Sequence, residues 1–470
     1  MLILVLKSYH STINNLKIKI LKIKAKILNI HLHKNINITI KDQKKYGIFR
    51  IWLYPKIWSI YLISALILAM IFLLPIYGNV WFFYKNYQNA LIIFDTIFAL
   101  LSVWIWFGVP KKLAFWFGFF VGLGLFYWVG LSFRFSPFPF LIPLIMFFVA
   151  LIYGFIFYFL LFFTSSFYRI LTLMLMSYIH PFGFDWLKVD AFFSYSIFSV
   201  DKLSFFCIIT GVWAFVYFKR FYKILGICFL FLALDWGGIK GKITLPSGIE
   251  VITTNINQNL KWQSENLNNI IWLNIDSINK AILSGKKMII FPETTFPFIL
   301  NKSFLMPELL TLSKKITIIT GALREEEGQI YNSTYIFQNG HFTYIDKVVL
   351  APFGEKIPLP DFLAKPFYKI FFGEEYSLSE GKKPGNFTID NDVFRSAICY
   401  EGTSEIMYQD KPKYLILISN NGWFTPSIEP IVQRMLIKYY ARIYDTIVIH
   451  SINQSPSYII SPFILGDENL

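Results

Sequence analysis

The chain has 470 residues, of which 55% are hydrophobic, 19% aromatic and only 16% charged, with a formal net charge of +15. That is too apolar for an ordinary soluble domain and points to several membrane spans. The positive balance does not indicate a nucleic-acid partner: residues 1–56 hold twelve Lys/Arg against one acid, Asp42, and no RNA- or DNA-binding signature follows.

In the N-terminal segment, Leu16-Lys-Ile-Lys-Ile-Leu-Lys-Ile-Lys-Ala-Lys26 alternates charge and apolarity. It reads either as a cytoplasmic segment on anionic headgroups, at roughly 1 kcal/mol per basic side chain, or as a poorly ordered tail. Residues 1–5 are too short an apolar core for a cleavable signal peptide. Seven apolar runs follow, at about 57–77, 90–109, 113–133, 138–163, 170–179, 203–217 and 224–234, so residues 57–238 read as a polytopic helical membrane domain. Gly118, Gly122 and Gly124 in the third run allow close helix packing. Lys111-Lys112, Arg169 and Lys219-Arg220 with Lys223 follow the second, fourth and sixth runs, on the side of the basic N-terminus. Seven spans place residues 239–470 on the far side of the membrane.

Those residues alternate short strands and helices. Strands are expected at 249–254, 288–291, 316–319, 397–399 and 415–419, with helices at about 264–283 and 428–440. A hairpin (331–337, 342–350) turns on Asn339-Gly340, which supplies the positive φ of a tight turn. This is a mixed sheet covered by helices, large enough to bury its own core.

Three of these segments end where chemistry can sit. Phe394-Arg-Ser-Ala-Ile-Cys399-Tyr-Glu-Gly402 runs an apolar strand into a cysteine, like a nucleophile elbow; a following helix N-terminus would favour the thiolate. The bland reading is a free core cysteine, as for Cys207 and Cys228 inside apolar runs. Glu293, after Pro292, is either a desolvated general base or a loop acid. Lys347, in Asp346-Lys-Val-Val-Leu-Ala-Pro-Phe-Gly-Glu355, is either an oxyanion-stabilising ammonium or a solvated hairpin residue.

Taken in order, Pro292-Glu293-Thr, Asp346 to Glu355, Ile398-Cys399-Tyr-Glu401 and Ser419-Asn-Asn-Gly-Trp-Phe424 resemble the carbon–nitrogen hydrolase (nitrilase) superfamily, and within it the apolipoprotein N-acyltransferase family. Asn255-Ile-Asn-Gln-Asn-Leu-Lys-Trp262 and the glycine-rich Phe115–Trp128 stretch are similar to that family as well. The resemblance implies an αββα sandwich behind the membrane helices and a Glu293–Lys347–Cys399 triad. It implies transfer of a phospholipid acyl chain, through a Cys399 thioester, to the amine of a diacylglyceryl-cysteine apolipoprotein. Glu355 would orient Lys347, the Tyr400 N–H would share the oxyanion, and Glu401 would support the elbow. Trp262, Asn420 and Trp423 would contact substrate. The implied setting is the bacterial inner membrane with a periplasmic catalytic domain, a monomer, and no cofactor or metal.

The chain departs from the family pattern at Gln433-Arg434, His450 and Asn453-Gln-Ser455, and its end at Leu470 suggests a missing last membrane helix. A membrane-tethered amidase using the same triad, or a scaffold with an inactive hydrolase domain, are the alternatives. Few charges lie inside the spans, which argues against an ion path.

Overall fold

The computed structural model describes residues 55–84, 88–239, 241, 243–360, 362, 364–366 and 378–470; the basic segment expected at 1–56 falls outside them except for its last two residues. Among the described residues, eight α-helices precede the first strand: α1 (Pro55–Phe72), α2 (Leu74–Tyr84), α3 (Gln88–Gly108), α4 (Ala114–Phe126), α5 (Ile142–Leu160), α6 (Ser166–Met176), α7 (Lys202–Tyr217) and α8 (Lys223–Leu232). All seven expected runs are helical, but their lengths do not confirm seven spans. Among the described residues, Ala90–Gly108, Lys111–Phe135 and Pro139–Leu160 are long and apolar enough to cross a membrane. The bent pair α1 and α2, at 54°, makes a fourth if it is one span. Helices α6, α7 and α8 have 11, 16 and 10 residues, short of the ~17–25 a crossing takes. All three still expose large apolar side chains, among them Leu171 and Leu175 of α6, Leu203 and Phe206 of α7 and Ile224, Ile227 and Phe231 of α8.

Arg169 also differs from expectation. It is 3% exposed, and its guanidinium donates to the carbonyls of Trp106, Phe107 and Val109 at the end of α3. A helix C-terminus leaves its last carbonyls without partners and carries partial negative charge, so a buried cation there is stabilising. Arg169 is thus a helix cap, not a free positive charge marking one side of the membrane.

Helices α4 and α5 approach closely through glycines. A Cβ on Gly118 would lie 2.3 Å from Phe157 Cβ, and one on Gly122 2.5 Å from Tyr153 Cβ. On its other side α5 exposes Leu144, Phe147, Phe148, Phe155 and Phe159, the apolar surface a lipid neighbour needs.

The remainder is two six-stranded sheets. The first contains β1 (Ile249–Val251), β2 (Met288–Ile290), β3 (Phe296–Ile299), β4 (Thr317–Glu326), β5 (Gln329–Gln338) and β6 (His341–Asp346), in the order β1-β2-β4-β5-β6 with β3 also on β4. The second contains β7 (Asn386–Ile389), β8 (Asp392–Ile398), β9 (Tyr414–Asn420), β10 (Ile447–Asn453), β11 (Tyr458–Ile460) and β12 (Glu468–Asn469), consecutive across the sheet. Met288, Ile290, Ile319 and Ile336 of the first sheet share a core with Phe394, Ile398, Ile416, Ile418 and Ile449 of the second. The outer face of the first is covered by α9 (Ser264–Leu283) and α10 (Met306–Leu312) through Ile278, Ala281 and Leu309. The outer face of the second is covered by α11 (Glu429–Tyr444) through Val432, Leu436 and Ile437. This is the αββα sandwich. The β5–β6 hairpin turns at Asn339 (φ 53°) and Gly340 (φ 79°), as the Asn-Gly pair requires.

One continuous core joins α11 and the second sheet to the helices. Residues 181–201, between α6 and α7, carry much of it: Tyr439 Oη donates to Asp190 at 2.6 Å and Trp186 Nε1 to Thr403 Oγ1 at 2.8 Å. Arg442 donates to the carbonyls of Phe193, Ser194 and Phe198 and to Asp235.

Candidate active site

The carboxyl ends of β2, β8, β9 and β10 point to one place, where open α/β sheets characteristically bind ligands. Glu293 stands just beyond β2 and Cys399 just beyond β8, while Asn420 and Asn453 are the last residues of β9 and β10. Lys347 follows β6. Cys399 has φ 53°, a left-handed backbone that costs a non-glycine residue about 1–3 kcal/mol and is kept where it aims a side chain. Glu293 is seated by close backbone passage: a Cβ on Gly321 in β4 would lie 2.8 Å from its Cα.

The expected acids and lysine converge. Lys347 Nζ lies 2.6 Å from Glu355 Oε2 and 3.9 Å from Glu293 Oε1, with Lys347 about as buried as a core residue. Asn332 Nδ2 donates to Glu293 at 2.8 Å and to Glu355 at 3.2 Å. The Asn420 N–H holds the other Glu293 oxygen at 2.9 Å, and the Ala351 N–H holds Glu355. Glu401 accepts from the N–H groups of Val348, Val349 and Ile398, tying the elbow to the loop after Lys347.

Burial pushes Glu293 up, countered first by Lys347, while Glu355 adds to the rise. Burial would lower Lys347, but Glu355 and then Glu293 overcome it and keep the ammonium protonated. Burial also pushes the Cys399 thiol well up, and Glu293 reinforces this against Lys347. Both influences favour the neutral thiol over the expected thiolate. Its helix is absent: a 3₁₀ turn, Cys399–Thr403, follows the elbow, with too little dipole to offset desolvation and carboxylates.

The other expected residues are placed differently from one another. The Tyr400 side chain turns away from the acids: its hydroxyl donates to Gly183 O and Asp185, and its ring stacks on Phe184 and Trp186. Asn420 is buried and its side chain joins Gln258 and Asn453. Trp423 is 37% and Trp262 45% exposed; the Trp423 ring meets Phe135, and its carbonyl accepts from Arg134 of the helical part. Sequence reasoning missed Asn332, Asn453 and Lys261. Lys261 is buried, donates to the Glu293 carbonyl at 3.0 Å, and is pushed down by burial to about 8. A lysine directly before Trp262 in the expected first-strand loop was the available signal. Among the described residues no cluster of His, Cys, Asp and Glu could hold a metal ion.

Comparison with known proteins gives consistent relatives. Residues 59–236 match the family described as the apolipoprotein N-acyltransferase integral membrane domain. An apolipoprotein N-acyltransferase of Helicobacter pylori is 44% identical over 86% of this chain and 96% of its own length. One of Wolinella succinogenes is 43% identical over 78% of this chain and 89% of its own. Among solved structures, a CN-hydrolase superfamily protein of Xanthomonas campestris is similar at 11% identity and a TM-score of 0.37, covering 47% of this chain and 85% of that one.

Proposed function

The chain belongs to the apolipoprotein N-acyltransferase family, and we propose that Glu293, Lys347 and Cys399 carry its reaction. It is a membrane acyltransferase: a fatty acyl chain passes from phospholipid to the α-amino group of the diacylglyceryl-cysteine of apolipoproteins, the last step of bacterial lipoprotein maturation. The observation that supports the triad is convergence, since the Lys347 ammonium and the Glu293 carboxyl, from different strands, both bear on the Cys399 thiol.

In the first half-reaction Glu293 takes the thiol proton as sulfur attacks the donor ester carbonyl, then hands that proton to the departing lysophospholipid oxygen. Lys347, fixed by Glu355, and the Tyr400 N–H hold the tetrahedral oxyanion. In the second, the acceptor amine attacks the thioester and Glu293 returns a proton to sulfur. Trp262 and Trp423, on exposed loops, suit contact with the acyl chains. Asn420 acts through Glu293.

We place residues 57–238 in the bacterial inner membrane and residues 239–470 on its periplasmic side. Lys111 and Lys112 after α3, and Lys219 with Arg220 after α7, support a cytoplasmic side for those turns, and with all seven apolar runs crossing, residues 239–470 follow on the far side. The working unit is read as a monomer, because one chain supplies every reacting group.

Incubation of purified protein with phospholipid, followed by mass spectrometry, tests the mechanism. An acyl group released by hydroxylamine is expected on Cys399 and absent from Cys399→Ala. Lipoproteins that still mature in cells carrying only Cys399→Ser would refute it.

A further inference from the structure

Glu429, the first residue of α11, is used by neither half-reaction. It is 1% exposed, and its Oε2 has no hydrogen-bond partner among the described residues. Its charge bears on the Cys399 thiol. Gln433, one turn further along the same face of α11, accepts weakly from Asn421 Nδ2 at 3.5 Å. Asn421 in turn follows Asn420, which holds Glu293. Glu429 therefore lies on the side of α11 that looks towards the elbow. Gln433 Nε2 and Asn421 Oδ1 are also buried without partners, so this side of the site presents several unmatched polar atoms.

The other carboxyl groups at the site are engaged. Glu293 is held by Asn332, the Asn420 N–H and Lys347; Glu355 by Lys347 and the Ala351 N–H; Glu401 by three backbone N–H groups. A buried carboxyl with no partner is costly and is retained where something else pairs with it. Burial pushes Glu429 up to about 8, and the other titratable groups that feel its charge are Cys399 and Tyr458. Burial favours its neutral form until a cation arrives.

We propose that Glu429 is the counter-group for a primary ammonium brought to the Cys399 thioester by a substrate, an inference that rests on the acyl transfer described above. Two substrates offer that chemistry: the acceptor's α-ammonium and a donor ethanolamine headgroup. For the acceptor, pairing releases the Glu429 proton to water. Glu293 takes one proton from nitrogen, the amine attacks, the C–N bond forms and the C–S bond breaks, and Glu293 passes its proton to sulfur. The remaining excess proton on nitrogen returns to Glu429. The product amide is neutral, so the pairing that held the acceptor is lost when it forms.

The test separates the two halves in purified full-length protein. Thioester formation is measured with phosphatidylethanolamine and with phosphatidylglycerol, and transfer with a diacylglyceryl-cysteine peptide chased onto the acylated enzyme. Glu429→Gln is expected to form thioester from both donors within about threefold of the unmodified protein, and to transfer it about tenfold or more slowly with a raised KM for peptide. Glu429→Asp, which keeps the charge, should recover part of the loss. A Glu429→Gln defect confined to thioester formation from phosphatidylethanolamine would support the headgroup as the source. Unmodified rates in both steps with both donors, or equal loss in both steps with both donors, would overturn the inference. If the unmodified protein forms no thioester, the triad mechanism fails instead.

Discussion

Lys347 has two effects that a substitution can separate. Its ammonium is the largest influence opposing the rise that burial imposes on Glu293, and in the proposed mechanism it also holds the oxyanion. The base works as a carboxylate, so on the acid side the rate of thioester formation climbs with pH until Glu293 is ionised. Removing the cation lets Glu293 rise further. Lys347→Met should therefore move that acid limb to higher pH by about one unit or more. The plateau should fall by about 10²–10³ as an oxyanion donor is lost. A pH series of thioester formation checks both; an unmoved limb would mean that Lys347 does not set the base. The placement of Glu293, Lys347 and Cys399 beyond strand ends was legible in sequence because each has its own flanking motif. Asn332 was not, because its importance comes from register: the β5–β6 pairing sets Ser333 opposite Asp346 and so brings Asn332 beside Lys347. The surroundings of Cys399 were less legible, because desolvation depends on what packs around the sulfur, which its own strand does not encode.

Between elements, the glycines of α4 set a contact that larger side chains cannot keep. At Gly118 the obstruction includes a backbone atom, Tyr153 O, 2.6 Å from the added Cβ, and backbone cannot swing aside as a flexible side chain can. Gly118→Val should destabilise the protein by about 1–3 kcal/mol through overpacking, read as a lower thermal midpoint in detergent. Gly108→Val is the control, since nothing lies within 4 Å of a Cβ there; equal losses at both sites would show that helix propensity, not packing, is responsible. The glycine contact was legible, as were the hairpin turn and helix Ser264–Leu283, whose limits match the expected ones. In each the signal is local: small residues at helical spacing, a turn dipeptide, one unbroken amphipathic stretch. The lengths of α6, α7 and α8 were less legible, since whether a short apolar helix faces lipid or protein depends on segments elsewhere in the chain.

Arg442 links the two parts of the protein. Its guanidinium reaches carbonyls of residues 193–198 and the Asp235 carboxylate after α8, and it is almost wholly buried at its tip. Arg442→Met leaves that carboxylate and those carbonyls without their donor, a loss of about 3–5 kcal/mol for a broken buried pair. Calorimetry should show one cooperative transition in the unmodified protein and two in the variant, with residues 181–201 newly open to protease. A single unchanged transition would mean the apolar core alone holds the parts together. The same segment touches the chemistry. Tyr400, next in the chain after the nucleophile, is anchored by its hydroxyl to Gly183 and Asp185, just beyond α6. Any shift of residues 181–201 is therefore passed straight to the residue that follows Cys399, so the stretch that ties the helices to the second sheet also holds the elbow in place.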